Sequence, residues 1–217
     1  MTFEETMNLK GDVMRSVPGR STVRLTLDGR TVYLKRYEPE YYSWFDRLFF
    51  HDEAEHEWDM VHALQRAGFN VPKPVAFDRQ GLRSFVMTEE IPGGVPADSI
   101  NPPLATIGKL MRQFHDAGFI HKDSYLCHIF VAGEKLYFID LQRVEGPGKF
   151  ASRWLVKDLA ALAHSAERIG LPADEILQAY GDVPWMPKVR TRMKWLNQRH
   201  PKYVGVHDDP EKSKARF

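Results

Sequence analysis

A chain of 217 residues, 43% apolar and 27% charged, can build one domain or two small lobes and is too rich in apolar side chains to be disordered. Lys and Arg number 30 against 29 Asp and Glu, and a net charge of +1 argues against a general nucleic-acid binder. A single cysteine, Cys127, excludes an internal disulfide framework; with no signal pattern at Met1–Glu5 and no apolar run near the roughly 18 residues of a membrane span, a cytoplasmic α+β protein is expected.

The first clear element is a hairpin over residues 22–36. Val23, Leu25 and Leu27 alternate with Thr22, Arg24 and Thr26, and Asp28-Gly29 supplies the positive-φ turn. On the return strand Val32 and Leu34 share one face and Lys35 the other, so Lys35 points away from the core side or into a cleft. A helix follows from about Asp52 to Ala67, with Ala54, Trp58, Val61 and Leu64 at helical spacing and Glu57 at the edge of that stripe. Short strands are expected at 75–77 and 84–88, turned by Gln80-Gly81. Ile91-Pro92-Gly93-Gly94-Val95-Pro96 reads as a linker.

Beyond it, Leu104, Ile107, Leu110, Met111 and Phe114 predict an amphipathic helix stopped by Gly118. A polar loop at 121–126 leads into strands near 129–131 and 136–139, and another helix is expected to begin near Asp158. Strands with one helix, then a linker, then mostly helices predict two lobes, residues 1–91 and 92–217.

Two segments carry the chemistry. Phe119-Ile120-His121-Lys122-Asp123-Ser124-Tyr125-Leu126-Cys127-His128 and Leu136-Tyr137-Phe138-Ile139-Asp140-Leu141-Gln142 each put a carboxylate at the end of an apolar stretch. With Lys35 on a strand and Glu57 on the next helix, the order is that of a kinase. Nucleotide phosphates need a fixed cation, which Lys35 supplies if Glu57 holds its stem. A hydroxyl acceptor needs a base, offered by Asp123, and Mg²⁺ prefers oxygen ligands, offered by Asp140.

The stretch from Gly19 to Leu171 resembles the bacterial lipopolysaccharide kinase family of inner-core heptose and Kdo kinases. The catalytic-loop segment is similar to the family's His-Arg/Lys-Asp-Cys-Tyr-Ile-Cys-His. Tyr33-Leu34-Lys35, Ile139-Asp140-Leu141-Gln142-Arg143, Arg153-Trp154 with Lys157-Asp158-Leu159, and Ile169-Gly170-Leu171 match it too. The resemblance implies a two-lobed protein-kinase-like fold, with an antiparallel sheet lobe carrying one main helix and a mostly helical second lobe. It implies transfer from ATP, with Mg²⁺, to a sugar hydroxyl of the lipopolysaccharide inner core or a lipid-linked precursor.

By that resemblance Lys35 holds the ATP phosphates, Glu57 positions Lys35, Asp123 is the catalytic base and Asp140 the metal ligand. His128 stands where protein kinases place a second metal ligand, and is read as a contact to phosphate, substrate or a second metal such as Mn²⁺. Asp158, at a helix start, is expected to brace the catalytic loop through its backbone amides. The backbone of Glu89 and Ile91 is expected to receive adenine. His121 is read as a prop for the loop and Cys127 as a small buried residue. The alternatives are a kinase for another small-molecule or protein acceptor, and a pseudokinase used as a binding module.

Two further stretches bear on partners. Tyr41, Tyr42, Trp44, Phe45, Leu48, Phe49 and Phe50 are read first as lobe packing and second as a lipid-facing surface. Lys188, Arg190, Arg192, Lys194, Arg199 and Lys202 have no acid among them, and are read first as a solvated face and second as a surface for peripheral contact with the inner membrane.

Overall fold

The computed structural model describes residues 1–42 and 52–199. The chain divides into two compact units: residues 1–66 with 71–92, and residues 67–70 with 93–217.

The first unit is built on a five-stranded antiparallel sheet of order β1-β2-β3-β5-β4. Its strands are β1 (Asp12–Val17), β2 (Arg20–Leu27), β3 (Arg30–Tyr37), β4 (Pro74–Gln80) and β5 (Arg83–Glu89). Asp28 at φ 48° and Gly29 at φ 75° close the β2–β3 hairpin. That pair of left-handed residues suits the twist of the flanking strands.

Both sheet faces are covered. On one, Val23, Leu25, Val32, Leu34, Phe85 and Met87 pack with Phe3 and Met7 of a short helix, α1 (Phe3–Met7). On the other, Tyr37 and Val86 pack with Tyr42 and with Ala54 of α2 (Glu53–Arg66). Asp52 caps α2, accepting from the Ala54 amide at 2.8 Å and from the Ser84 hydroxyl at 2.9 Å.

The α2 stripe differs from expectation. Its buried side chains include Ala54, Glu57, Val61 and Leu64, whereas Trp58 is only half-buried. Glu57 therefore sits in the middle of the packed face, because it has a cation to meet there. The α1 helix and β1 were not anticipated; five of the six β1 residues are exposed, so no alternation marks that strand.

The second unit carries a three-stranded sheet of order β6-β7-β8, formed by β6 (Val95–Pro96), β7 (Ile129–Ala132) and β8 (Lys135–Phe138). The expected linker thus contributes β6. Its helices are α3 (Leu104–Asp116), α4 (Ser152–Arg168), α5 (Ala173–Tyr180) and α6 (Met186–Arg199). Helix α4 starts at Ser152, six residues before the expected Asp158. Ala151 precedes it without a capping side chain, so the usual start signal is missing.

Residues 67–70 count with this unit because Phe69 meets the rings of Phe114, Phe119 and Phe138. Around the catalytic-loop segment the backbone is tied twice. Ile120 and Glu145 exchange backbone bonds of 2.9 Å, and the Gly148 amide donates to the Gly118 carbonyl at 2.8 Å. A β-carbon at Gly118 would lie 2.7 Å from the Gly148 oxygen, so this close approach requires glycine.

Of the aromatic stretch, Tyr41 and Tyr42 pack with the first unit's core, while Trp44, Phe45, Leu48, Phe49 and Phe50 lie outside the described residues, as does Lys202. Among the described residues no helix is long and apolar enough to cross a membrane.

Candidate active site

In the first unit, Lys35 lies on β3 at the centre of the sheet, opposite Thr22 on β2 and Val86 on β5. Its ammonium donates to both carboxylate oxygens of Glu57, at 2.7 and 3.0 Å. The two side chains are 16% and 6% exposed, which makes this a largely desolvated pair. Such a pair is held by mutual need: removing one partner strands a buried charge, at about 3–5 kcal/mol.

At the end of β5, Glu89 sits among Arg30 and Lys73, at 2.9 and 3.1 Å, and its own amide donates to the Lys73 carbonyl at 2.8 Å. Glu90 is clamped by two guanidinium nitrogens of Arg24, Nε and Nη2, at 2.8 and 3.1 Å, which holds its carboxyl below the usual range. Among the described residues the buried Ile91 amide has no acceptor.

The second unit gathers Asp123, His128 and Asp140. Ligand atoms from the three lie within 4.8 Å of one another, a spacing that one cation could bridge. His128 Nδ1 donates to the Asp123 backbone carbonyl at 2.6 Å, which turns Nε2 toward Asp140 Oδ2, 3.9 Å away. Burial alone would lower the His128 pKa. The neighbouring Cys127 sulfur and the Asp140 and Asp123 carboxylates outweigh it, raising His128 to about 10. His121 lies parallel to it, 11° between rings, fully buried, with Nε2 at 3.2 Å from the Ile139 carbonyl. Burial and the nearby His128 push its pKa down, so it stays neutral as a prop.

Two residues of the site hold left-handed backbone without being glycine: Lys122 at φ 63° and Asp140 at φ 55°. Each such conformation costs of order 1–3 kcal/mol and persists only where neighbours enforce it. For Lys122 the enforcer is Asp158. Its carboxylate accepts from the His121 amide at 2.6 Å and the Lys122 amide at 2.7 Å. The expected bracing role is therefore seen in the geometry, but from the interior of α4 rather than from a cap. Asp158 is itself steadied by Ser124, whose hydroxyl donates to its carbonyl at 2.7 Å, and by His115 at 3.4 Å.

Sequence reasoning did not single out His115 and Tyr180, whose ring nitrogen and hydroxyl lie 2.9 Å apart behind Asp158. Their signal is weak: His115 sits one residue after the buried Phe114, at the edge of the α3 stripe. The structure thus brings Lys35 to Glu57 in one unit, and Asp123, His128 and Asp140 together in the other.

Comparison with known proteins gives this arrangement a family. A sequence model of the lipopolysaccharide kinase (Kdo/WaaP) family matches residues 4–180. The chain is 27% identical over 230 residues to the lipopolysaccharide core heptose(I) kinase WaaP of Escherichia coli strain K12, covering 90% of this chain and 87% of the relative. It is 27% identical over 246 residues to the enzyme of that name from Pseudomonas aeruginosa, covering 91% and 92%. A solved structure, WaaP in complex with acyl carrier protein, aligns with a TM-score of 0.68 at 28% identity, over 92% of this chain and 91% of the other. Acyl carrier protein is a partner of that relative that the present sequence did not suggest. The chain belongs to the lipopolysaccharide kinase (Kdo/WaaP) family and is an ATP-dependent kinase with a kinase-like α+β fold.

Proposed function

We propose that this kinase phosphorylates a sugar hydroxyl of the lipopolysaccharide inner core, heptose being the acceptor named for its relatives. The observation that carries the reading is the convergence of Asp123 and His128, on the loop that Asp158 holds, with Asp140 on the segment after β8. A carboxylate from this cluster suits Mg²⁺, which takes one or two protein carboxylates and fills the rest of its shell with water and phosphate oxygens, and the second carboxylate is left for the acceptor. When bound, Mg²⁺ neutralises charge on the transferring phosphoryl group.

Asp140 is the ligand for that ion, and Asp123 takes the acceptor proton on a carboxylate oxygen. His128 can join as a ligand only as a neutral ring through Nε2, because Nδ1 is committed to the Asp123 carbonyl. As an imidazolium it would face phosphate oxygens instead. Lys35 holds the nucleotide phosphates with its stem fixed by Glu57. Adenine is received by the Glu89 carbonyl, since its amide is already used, and by the Ile91 amide.

Radiolabelled ATP with deacylated core oligosaccharide, followed by mass analysis of the product, tests the reading. One phosphate added to a core heptose is expected. Transfer to other acceptors but to no core sugar would overturn the acceptor, and no nucleotide-induced thermal shift would overturn the kinase. In the same assay Lys35→Met should raise the KM for ATP at least about tenfold, as expected for loss of a charged phosphate contact worth about 1.5–3 kcal/mol.

Peripheral membrane contact rests on α6, where the guanidinium groups of Arg192 and Arg199 each lie 4.7 Å from the ring of Trp195, which is 38% exposed. Co-sedimentation with anionic vesicles at low salt should capture the protein and release it at high salt, where surface charges are screened. Indifference to vesicle charge would remove this part of the reading.

A further inference from the structure

Trp154, half-buried on the first turn of α4, collects cations. The Lys157 ammonium stands 4.1 Å from its ring centroid, the Lys122 ammonium 5.1 Å and the Arg153 guanidinium 5.5 Å. Lys122 also pairs with Glu145, but among the described residues Arg153 and Lys157 have no carboxylate partner. An aromatic face offsets part of the repulsion within such a group, by about 0.5–1 kcal/mol per exposed contact. It does not neutralise the charge.

The surplus extends along the chain. From Leu141 to Lys157 there are Arg143, Lys149, Arg153 and Lys157 against Glu145 alone. The next residue, Asp158, does not redress the balance at the surface, because its carboxylate is turned inward to the His121 and Lys122 amides. Those same bonds fix where the cluster lies. Trp154 is one helical turn before Asp158, and Asp158 holds the residue adjacent to Asp123. The basic and aromatic group therefore borders the catalytic loop itself.

We infer that Lys122, Arg153, Lys157 and Trp154 form a subsite for an anionic substituent, a carboxylate or a phosphate, on the saccharide acceptor. The inference rests on the acceptor reading above. A guanidinium takes either anion through two parallel hydrogen bonds, and the ammonium groups add point charges beside it. The neutral hydroxyl to be phosphorylated would be oriented by a charge that takes no part in the reaction. Such remote binding serves positioning rather than chemistry.

Three ligands separate the sources of charge: a deacylated core oligosaccharide, its dephosphorylated form, and the dephosphorylated form with its carboxyl groups reduced. Titration of the whole protein, read by tryptophan fluorescence with Trp154→Phe as the difference control, should show at least about tenfold tighter binding of a charged ligand than of the neutral one. The step at which affinity falls tells phosphate from carboxylate. Arg153→Glu with Lys157→Glu, both exposed positions, should erase the preference while leaving Tm near that of the unaltered protein. Equal binding of all three ligands, or a preference that survives charge reversal, would overturn the subsite. The titration needs no turnover, so failure of phosphoryl transfer to every saccharide would count against the acceptor reading and not against this result.

Discussion

Replacing Asp140 by Asn should lower turnover about 10³-fold or more while the protein melts near its normal temperature. Asn matches the volume of Asp and, like it, tolerates the left-handed conformation that Asp140 holds at φ 55°, so the backbone has no reason to move. What is lost is one negative oxygen aimed at the point shared with Asp123 and His128. Removing a single preorganised charge-stabilising group typically costs 10²–10³ in rate, and loss of the proposed metal ligand should exceed that. Asp123→Asn should fall by about 10²–10⁴, the range of a general base. Steady-state rates with ATP and core acceptor, beside thermal melts, decide both. Turnover within tenfold of normal in either variant would remove that residue from the proposed machinery.

Asp158→Ala should instead act on folding and activity together. The alanine leaves the His121 and Lys122 amides without the acceptors that now lie at 2.6 and 2.7 Å. Each orphaned amide costs about 1–3 kcal/mol, so a loss of roughly 2–6 kcal/mol is expected. At about 2–4 °C per kcal/mol for a chain of this size, Tm should drop by roughly 4–24 °C. Lys122 would also lose what enforces its left-handed backbone, letting the Asp123 side chain wander. An unchanged melt with unchanged turnover would show that the loop holds itself.

The hairpin, the Gln80-Gly81 turn and the α3 helix were legible because each has a local cause: an Asp-Gly pair, a glycine at positive φ, an apolar period. The kinase order of Asp123 and Asp140 pointed to their meeting, and their ligand atoms do converge. The burial of Glu57 was not, since periodicity treats a carboxylate as a surface residue and cannot see the lysine across the fold. Helix α4 was started too late for a related reason. A buried acid at Asp158 mimics a cap, while the true start has none. The cations at Trp154 come from α4 and from the loop before Asp123, and no one-dimensional spacing brings these together.

The double tie between the segments before Asp123 and after Asp140 bears on regulation. Many switches work by letting the chain beyond a metal-binding aspartate settle in two arrangements a few kcal/mol apart. Here that chain is zipped back at once, by the Ile120–Glu145 exchange and by the Gly118–Gly148 contact. A second arrangement would have to break those bonds and reopen a glycine pair packed backbone to backbone. Control exercised through this stretch would therefore be costly.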